Sequence, residues 1–387
     1  MSLSKALLTT EKIIQIFQPE LRTEELEAVR KVFESNWIGK GKITDQFETG
    51  FADFLGTRRE TIRSITCCTE GLFQSMELLR VGPGDEVILP SISFVGAANA
   101  VASCGARPVF CDVDKRELNP TAELIEQKIT NKTKAVIILH YGGVPCLIDE
   151  IYGLTRQKKI ALIEDSACSV ASRYKGKACG TFGDIGVWSF DAMKILVTGD
   201  GGMIYCRDPE TAKRAEEQTY LGLTTRSGTS NTVDKKWWEF EISCFGRRAI
   251  MNDVSSAIGL VQLKKLPHFI NRRKEIHETY ESSFSKLDWL KPPPTLPSCL
   301  DSSYYFYWVQ TQPELRDQLA QHLRDNNIYT TFRYYPLHRV KYYGSTGRLP
   351  NSEEAAKSTL CIPIHQSLTD SDLDRIIECI RSFGKQI

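Results

Sequence analysis

Three short apolar, β-branched runs in this chain are each followed at once by residues that could do chemistry. The run 61–66 leads into Cys67-Cys68-Thr69-Glu70-Gly71 at the start of a helical pattern, and the run 160–164 leads into Asp165. The run 185–190 leads into Asp191-Ala192-Met193-Lys194, then Thr198-Gly199-Asp200-Gly201-Gly202. A helix start presents free N–H groups and a positive dipole end to a phosphate. A carboxylate keeps a ring nitrogen protonated, and a lysine amine forms a Schiff base with an aldehyde and can carry a proton afterwards. Each feature alone has a plain structural reading: Asp165 could cap the next helix, Thr69 could be an N-cap, Lys194 could be a solvated surface lysine, and the glycines could form a turn. Together, anion-binding helix start, acid and amine are what a pyridoxal phosphate site requires.

The elements that must position these groups are legible in the pattern. Runs at 61–66, 86–89, 108–113, 134–140, 160–164, 185–190 and 202–206 alternate with helix-length segments such as 70–80 and 121–129. Seven strands so separated predict an α/β fold: a central, mostly parallel seven-stranded sheet flanked by helices, with ligands outside the carboxyl ends of the strands. Thr23, with Glu24 and Glu25 behind it, reads as a helix N-cap, and Leu26, Val29, Val32 and Phe33 as one apolar stripe. A long helix is expected from Val254 through Arg272 and Tyr280, ended by Lys291-Pro292-Pro293-Pro294. The C-terminal third has strand and helix signals of its own and closes on an amphipathic helix over 371–383. The expected division is a large domain at 1–265, including the N-terminal helix, and a smaller α+β domain at 266–387.

Composition narrows the classes. The chain has 387 residues, with 49 Lys+Arg against 48 Asp+Glu, a balance that argues against a nucleic-acid-binding surface. No stretch is apolar and long enough for a membrane span, and the first twelve residues lack a signal-peptide pattern, so a cytoplasmic location is expected. The 12 cysteines are scattered with no CxxC, which predicts reduced thiols packed as small hydrophobes and no metal site.

The motifs resemble those of a known family. Val187-Trp188-Ser189-Phe190-Asp191-Ala192-Met193-Lys194 with the following Thr198–Gly202 loop is similar to the SFxxxK...TGEGG segment of the DegT/DnrJ/EryC1/StrS sugar aminotransferases, which have the aspartate aminotransferase fold. Gly82–Ser91, Phe94-Val95 and Ala98-Asn99-Ala100 resemble the family's GPGDEVIxPxxxFVAxANA stretch, and Glu164-Asp165-Ser166-Ala167 its EDxA. Met251–Leu260, Phe332–His338 and Leu360–His365 match its later markers, so the resemblance covers nearly the whole chain.

The resemblance implies a pyridoxal-phosphate-dependent aminotransferase that passes nitrogen from an amino acid, glutamate most often, to a keto sugar, expected to be nucleotide-linked, by ping-pong chemistry. Lys194 would carry the internal aldimine and move the proton, Asp165 would pair with the pyridine nitrogen, and Phe94 would stack on the ring unless it is an ordinary core aromatic. Thr69, the Glu70 backbone and Ser189 would hold the phosphate. Cys168 stands where the family usually has Gln or His near the cofactor, and a thiol cannot make the same hydrogen bonds. Arg247-Arg248 stands where the family sends an Asn to the phosphate of a neighbouring subunit; one of the two arginines, Arg248 in the first instance, is expected to do that job in a homodimer with shared sites. The sugar is expected among Trp37–Lys40, the loop after Lys194, and Arg333–His338. His338 and His365 read as structural histidines before they read as bases. Lys194 weighs against the dehydratase branch, which has His there; a dehydratase or epimerase, or a non-catalytic regulatory relative, is the alternative.

Overall fold

The structure is a computed structural model that describes residues 12–224 and 239–387; the leader reading of the first residues lies almost wholly outside them. Strands β1 (Ile62–Ile65), β2 (Glu86–Pro90), β3 (Arg107–Cys111), β4 (Thr133–Leu139), β5 (Ala161–Asp165), β8 (Ile185–Ser189) and β9 (Gly202–Cys206) form one sheet; the two-residue strands β6 (Arg173–Tyr174) and β7 (Lys177–Ala178) make a separate hairpin. The order is β1-β9-β8-β5-β4-β2-β3. Pairing is parallel from β3 to β8, and β9 runs antiparallel to both β8 and β1. This is the mostly parallel seven-stranded sheet expected from the sequence.

Near-continuous apolar runs bury both faces of these strands, as a helix-covered sheet demands. One face sets Val87, Leu89, Ile137, Ile163 and Val187 against helices α3 (Cys68–Leu78), α4 (Val95–Ser103) and α7 (Pro209–Thr219). The other sets Ile88, Val136, Ile138, Leu162 and Trp188 against Phe47 and Phe51 of α2 (Lys42–Leu55), Ile151 of α6 (Ile148–Lys158), and Leu266 and Phe269 of α8 (Asp253–Phe284). Burying one such side chain is worth about 1.5–3 kcal/mol.

Helix α8 is continuous over 32 residues with Pro267 inside it, and Asn252 caps it by accepting from Ser255 N at 3.0 Å. Its first half packs on α1 (Thr23–Glu34) and α2. Its second half, through Ile276, Tyr280 and Phe284, packs on Tyr307, Val309, Leu360 and Ile362. Those four residues lie in a small antiparallel sheet of β10 (Leu290–Lys291), β12 (Tyr307–Thr311) and β13 (Thr359–Ile362), while β11 (Leu300–Asp301) pairs with β6. The C-terminal helix, Asp370–Gly384, is closed at its start by a capping box between Thr369 and Asp372. All twelve cysteines are free thiols.

Two local expectations need correction. The cap of α1 is Arg22, not Thr23, and Glu25 accepts the Arg22 N–H at 2.9 Å. The stripe on α1 is not buried as one: Val32 is inside, but Leu26 and Phe33 are 66% and 61% exposed. The helix is seated instead by its acid, since Glu25 accepts from Gln262 and Lys265 of α8. A polar anchor replaces part of the apolar one, and a hydrophobic pattern cannot foresee that.

Candidate active site

The chemistry lies where parallel strands end. β5 delivers Asp165 and its neighbour β8 delivers Ser189 and, five residues on, Lys194; Asp165 stands opposite Val187 in the register. Behind β1, α3 points its first turn at the same edge. Its cap is Cys67, whose thiol accepts from Glu70 N at 3.4 Å, so Thr69 lies inside the first turn rather than at the cap. First-turn N–H groups have no acceptor within their own helix and are available to an anion. The approach of α3 to β9 is close: a Cβ on Gly202 would lie 2.6 Å from Trp188 O and 2.9 Å from Cys68 N, which is why this strand begins with glycine.

Asp165 is 2% exposed. Its Oδ1 accepts from Ala167 N at 3.1 Å and lies 3.9 Å from Cys68 Sγ, while among the described residues no donor reaches Oδ2. Burial raises its pKa, against the pull of the Ala167 N–H, Lys194 and His140. A buried carboxyl with one oxygen open waits for a positive partner. The strand is fixed one residue earlier, where Glu164, fully buried, accepts from Gly180, Phe182 and Gly183 N–H groups at 2.7, 2.6 and 2.5 Å and contacts His140 Nε2 at 3.1 Å.

Lys194 is held in a tight turn by its own N–H to Asp191 O at 2.9 Å. Its Nζ donates to Tyr305 Oη at 3.3 Å and stands 4.9 Å from the centre of that ring. Burial opposes the charge on this amine, but Tyr305, Cys168 and Cys68 around it outweigh burial and raise its pKa. Cys168 is buried, with its thiol pushed up to about 11 by burial, and touches Tyr334 Oη at 3.8 Å. Tyr334 in turn packs on Phe94, ring centres 5.9 Å apart. Phe94 is 45% exposed and is therefore not a core aromatic. A Cβ on Gly96 would lie 3.3 Å from both Thr69 Oγ1 and Phe94 Cδ1, so the first turn of α3 and the Phe94 ring share one wall.

The remaining expected residues fall into two groups. Ser189 ends β8, its Oγ accepting from Asp191 N at 3.4 Å. Arg333 lies near the lysine turn, 3.9 Å from Met193 Sδ and 5.2 Å from the Phe17 ring centre. Glu70 is engaged, accepting from Arg247 Nε at 2.6 Å, and a second nitrogen of Arg247 reaches Glu77 at 2.6 Å. Arg248 is exposed, with its guanidinium 5.4 Å from the Tyr220 ring centre. Trp37 is exposed and donates to Lys40 O at 3.2 Å. His338 is buried against Ser91 Oγ at 2.7 Å, a structural contact. His365 is buried, and burial lowers its pKa to about 4. Residues missed in the sequence are Tyr305 and Phe17, and Glu164, named there only within the EDxA segment, was given no role. The first two come from segments far from Lys194 in the chain, and no local pattern marks them.

The residues fit pyridoxal phosphate: a buried carboxylate with an unclaimed oxygen, a lysine on the adjoining strand end, a helix start for the phosphate, and an aromatic wall between. Among the described residues no cluster of His, Cys, Asp and Glu could hold a metal ion. No helix among them is long and apolar enough to cross a membrane.

The mostly parallel seven-stranded sheet flanked by helices is the fold of an aminotransferase. Comparison with known proteins makes the class specific: residues 19–381 match the model of the DegT/DnrJ/EryC1/StrS aminotransferase family, and the chain belongs to it. It is 52% identical over 367 residues, 95% of either chain, to dTDP-4-dehydro-2,3,6-trideoxy-D-glucose 4-aminotransferase of Saccharopolyspora spinosa. The aminotransferase TlmJ of Streptoalloteichus hindustanus superposes with a TM-score of 0.93 at 55% identity, over 97% of this chain and 99% of that one. Spr1654 of Streptococcus pneumoniae, solved in a PLP form, superposes with a TM-score of 0.88 at 26% identity over 97% and 99%. The protein is a sugar aminotransferase.

Proposed function

We propose that this aminotransferase uses pyridoxal phosphate to move an amino group from glutamate to C4 of a nucleotide-linked 4-keto deoxysugar, working as a cytoplasmic homodimer. The observation that carries the reading is the Asp165 carboxylate at the end of β5 with the Lys194 amine in the turn just past the end of its parallel neighbour β8. The substrate class is supported by the name of the 52% identical relative, and the cofactor by Spr1654, solved in PLP and PMP forms.

When bound, the cofactor supplies an electron sink through which nitrogen passes between two carbon skeletons. The chain supplies the rest. Asp165 holds a proton against the ring nitrogen, a pairing that offsets the cost of burying its charge. Thr69, Ser189 and the first-turn N–H groups of α3 bind the phosphate. Phe94 covers one face and excludes water. Lys194 provides the amine for attachment and afterwards carries the proton at Nζ. Arg247 is committed to Glu70 and Glu77, which leaves Arg248 as the residue offered to the partner subunit's phosphate.

The test is nitrogen transfer. Purified protein with pyridoxal phosphate, 15N-glutamate and dTDP-linked 4-keto deoxysugars is expected to place 15N on the sugar and release 2-oxoglutarate in equal amount, read by mass spectrometry. Folded, cofactor-loaded protein that transfers no 15N to any keto sugar nucleotide contradicts the reading.

A further inference from the structure

We propose that Tyr305 is the positioning residue of the Lys194 amine, its hydroxyl being the acceptor that keeps Nζ at the strand-end site whenever the amine is free. The inference rests on the proposed function above and assigns to this reaction a residue from the other side of the cleft, 111 positions along the chain.

Among the described residues Tyr305 Oη is the hydrogen-bond partner within reach of Nζ, at 3.3 Å. That hydroxyl also stands 3.4 Å from Met193 O, the carbonyl next to the lysine. With its single proton given to Met193, its lone pairs remain for the amine. The ring is immobilised. It is 2% exposed and stacks on Phe17 at 5.3 Å with an interplanar angle of 11°. Its backbone N–H donates to Gly142 O at 2.9 Å, and Arg273 reaches its carbonyl at 3.4 Å. The close approach of 303–306 to 142–143 depends on two glycines with positive φ, 63° and 85°. The fixture ends at one hydroxyl, which faces Lys194 Nζ and Met193 O. Burial keeps that phenol protonated at neutral pH, outweighing the opposite pull of Lys194, so it serves as a neutral acceptor rather than a base.

The consequence is a lysine that does not swing into solvent when substrate displaces it. Tyr305→Phe keeps the ring, the stack and the backbone bonds and removes only the acceptor. Trace labelling of the apoprotein with acetic anhydride across pH, followed by peptide mapping, reads the protonation midpoint of Lys194. The variant is expected to lower that midpoint by about one pH unit. In the holoenzyme it is expected to lower kcat about tenfold with the glutamate KM within twofold, at an unchanged near-ultraviolet dichroism spectrum. A midpoint and kcat both equal to wild type overturn the inference. Should Tyr305→Phe not fold, Phe17→Leu loosens the ring beneath the hydroxyl: a lowered midpoint supports the inference and an unmoved one overturns it. A wild-type protein that neither takes pyridoxal phosphate on Lys194 nor transfers nitrogen contradicts the proposed function instead, which separates the two failures.

Discussion

At the scale of single residues the account depends on an amine and a carboxylate with different jobs. Lys194→Ala would remove the proposed attachment point and proton carrier together, so kcat is expected to fall by about four orders of magnitude or more, as losses of a covalent catalytic group do. Steady-state transfer with 15N-glutamate checks it; residual activity near wild type would contradict the role. Asp165→Asn keeps shape and removes charge from a carboxyl that burial already strains toward the neutral form. The expected loss is about 100-fold, the equivalent of roughly 3 kcal/mol of transition-state stabilisation. Both residues could be read from the sequence because Asp165 directly follows one β-branched run and Lys194 lies in the short turn after another, where a strand-end site must lie. Tyr305 could not: in Tyr304-Tyr305-Phe306-Tyr307 its neighbours share its type, and only the tertiary fold selects which ring meets the lysine. Cys168 was visible as a departure from the family pattern, but its partner, Tyr334, was not.

At the scale of elements, strands and helices were legible because their periods differ, whereas caps and contacts between elements were not. Cys67 caps α3 with a thiol, an acceptor that capping preferences pass over in favour of the nearby Thr69. The two-residue strands of the β6–β7 hairpin are too short to alternate. The loop that follows them, 180–183, is tied to β5 by Glu164, whose three N–H bonds and histidine contact lie in no sequence pattern. Glu164→Ala leaves those donors unpaired in a dry core, and a loss of about 3–5 kcal/mol is expected from the urea midpoint. A loss below 1 kcal/mol would show that the loop does not need the acid. Gly202→Ala tests the seat of α3. Its Cβ would press on Trp188 O and Cys68 N, both backbone atoms that cannot swing aside. We expect a loss of about 1–3 kcal/mol in stability together with weaker pyridoxal phosphate binding, since the helix start itself is displaced. Unchanged cofactor affinity would separate the helix from the phosphate.

At the scale of the whole molecule, two histidines, His365 buried and His277 half-buried, tie stability to acidity. Burial lowers His365 to about 4, and it lowers His277, packed on Tyr304 and Tyr307, to about 4 as well. Between that value and the unfolded value near 6.5 the unfolded chain binds more protons, so stability rises with pH there. The contribution is complete above about pH 6.5 and is lost as pH falls through the folded values, up to roughly 3 kcal/mol for each ring. Urea unfolding at pH 7 and pH 5 is expected to show a lower midpoint at pH 5, and the double variant His277→Gln, His365→Gln a flatter dependence. A midpoint that does not move would contradict the two neutral rings. The long helix α8 passes from the face of the large sheet to that of the small one. The sequence showed this length but not the handover, because both halves carry the same helical period and only their partners differ.

The central claim is that the Lys194 amine, beside Asp165 at the sheet edge, is where this protein takes its cofactor. Borohydride reduction of the pyridoxal-phosphate-loaded protein, with mass-spectrometric peptide mapping, tests it most directly. The account predicts the reduced pyridoxyl phosphate on the peptide containing Lys194 and no such adduct in Lys194→Ala. The adduct on another lysine, or none at all in the wild-type protein, would contradict it.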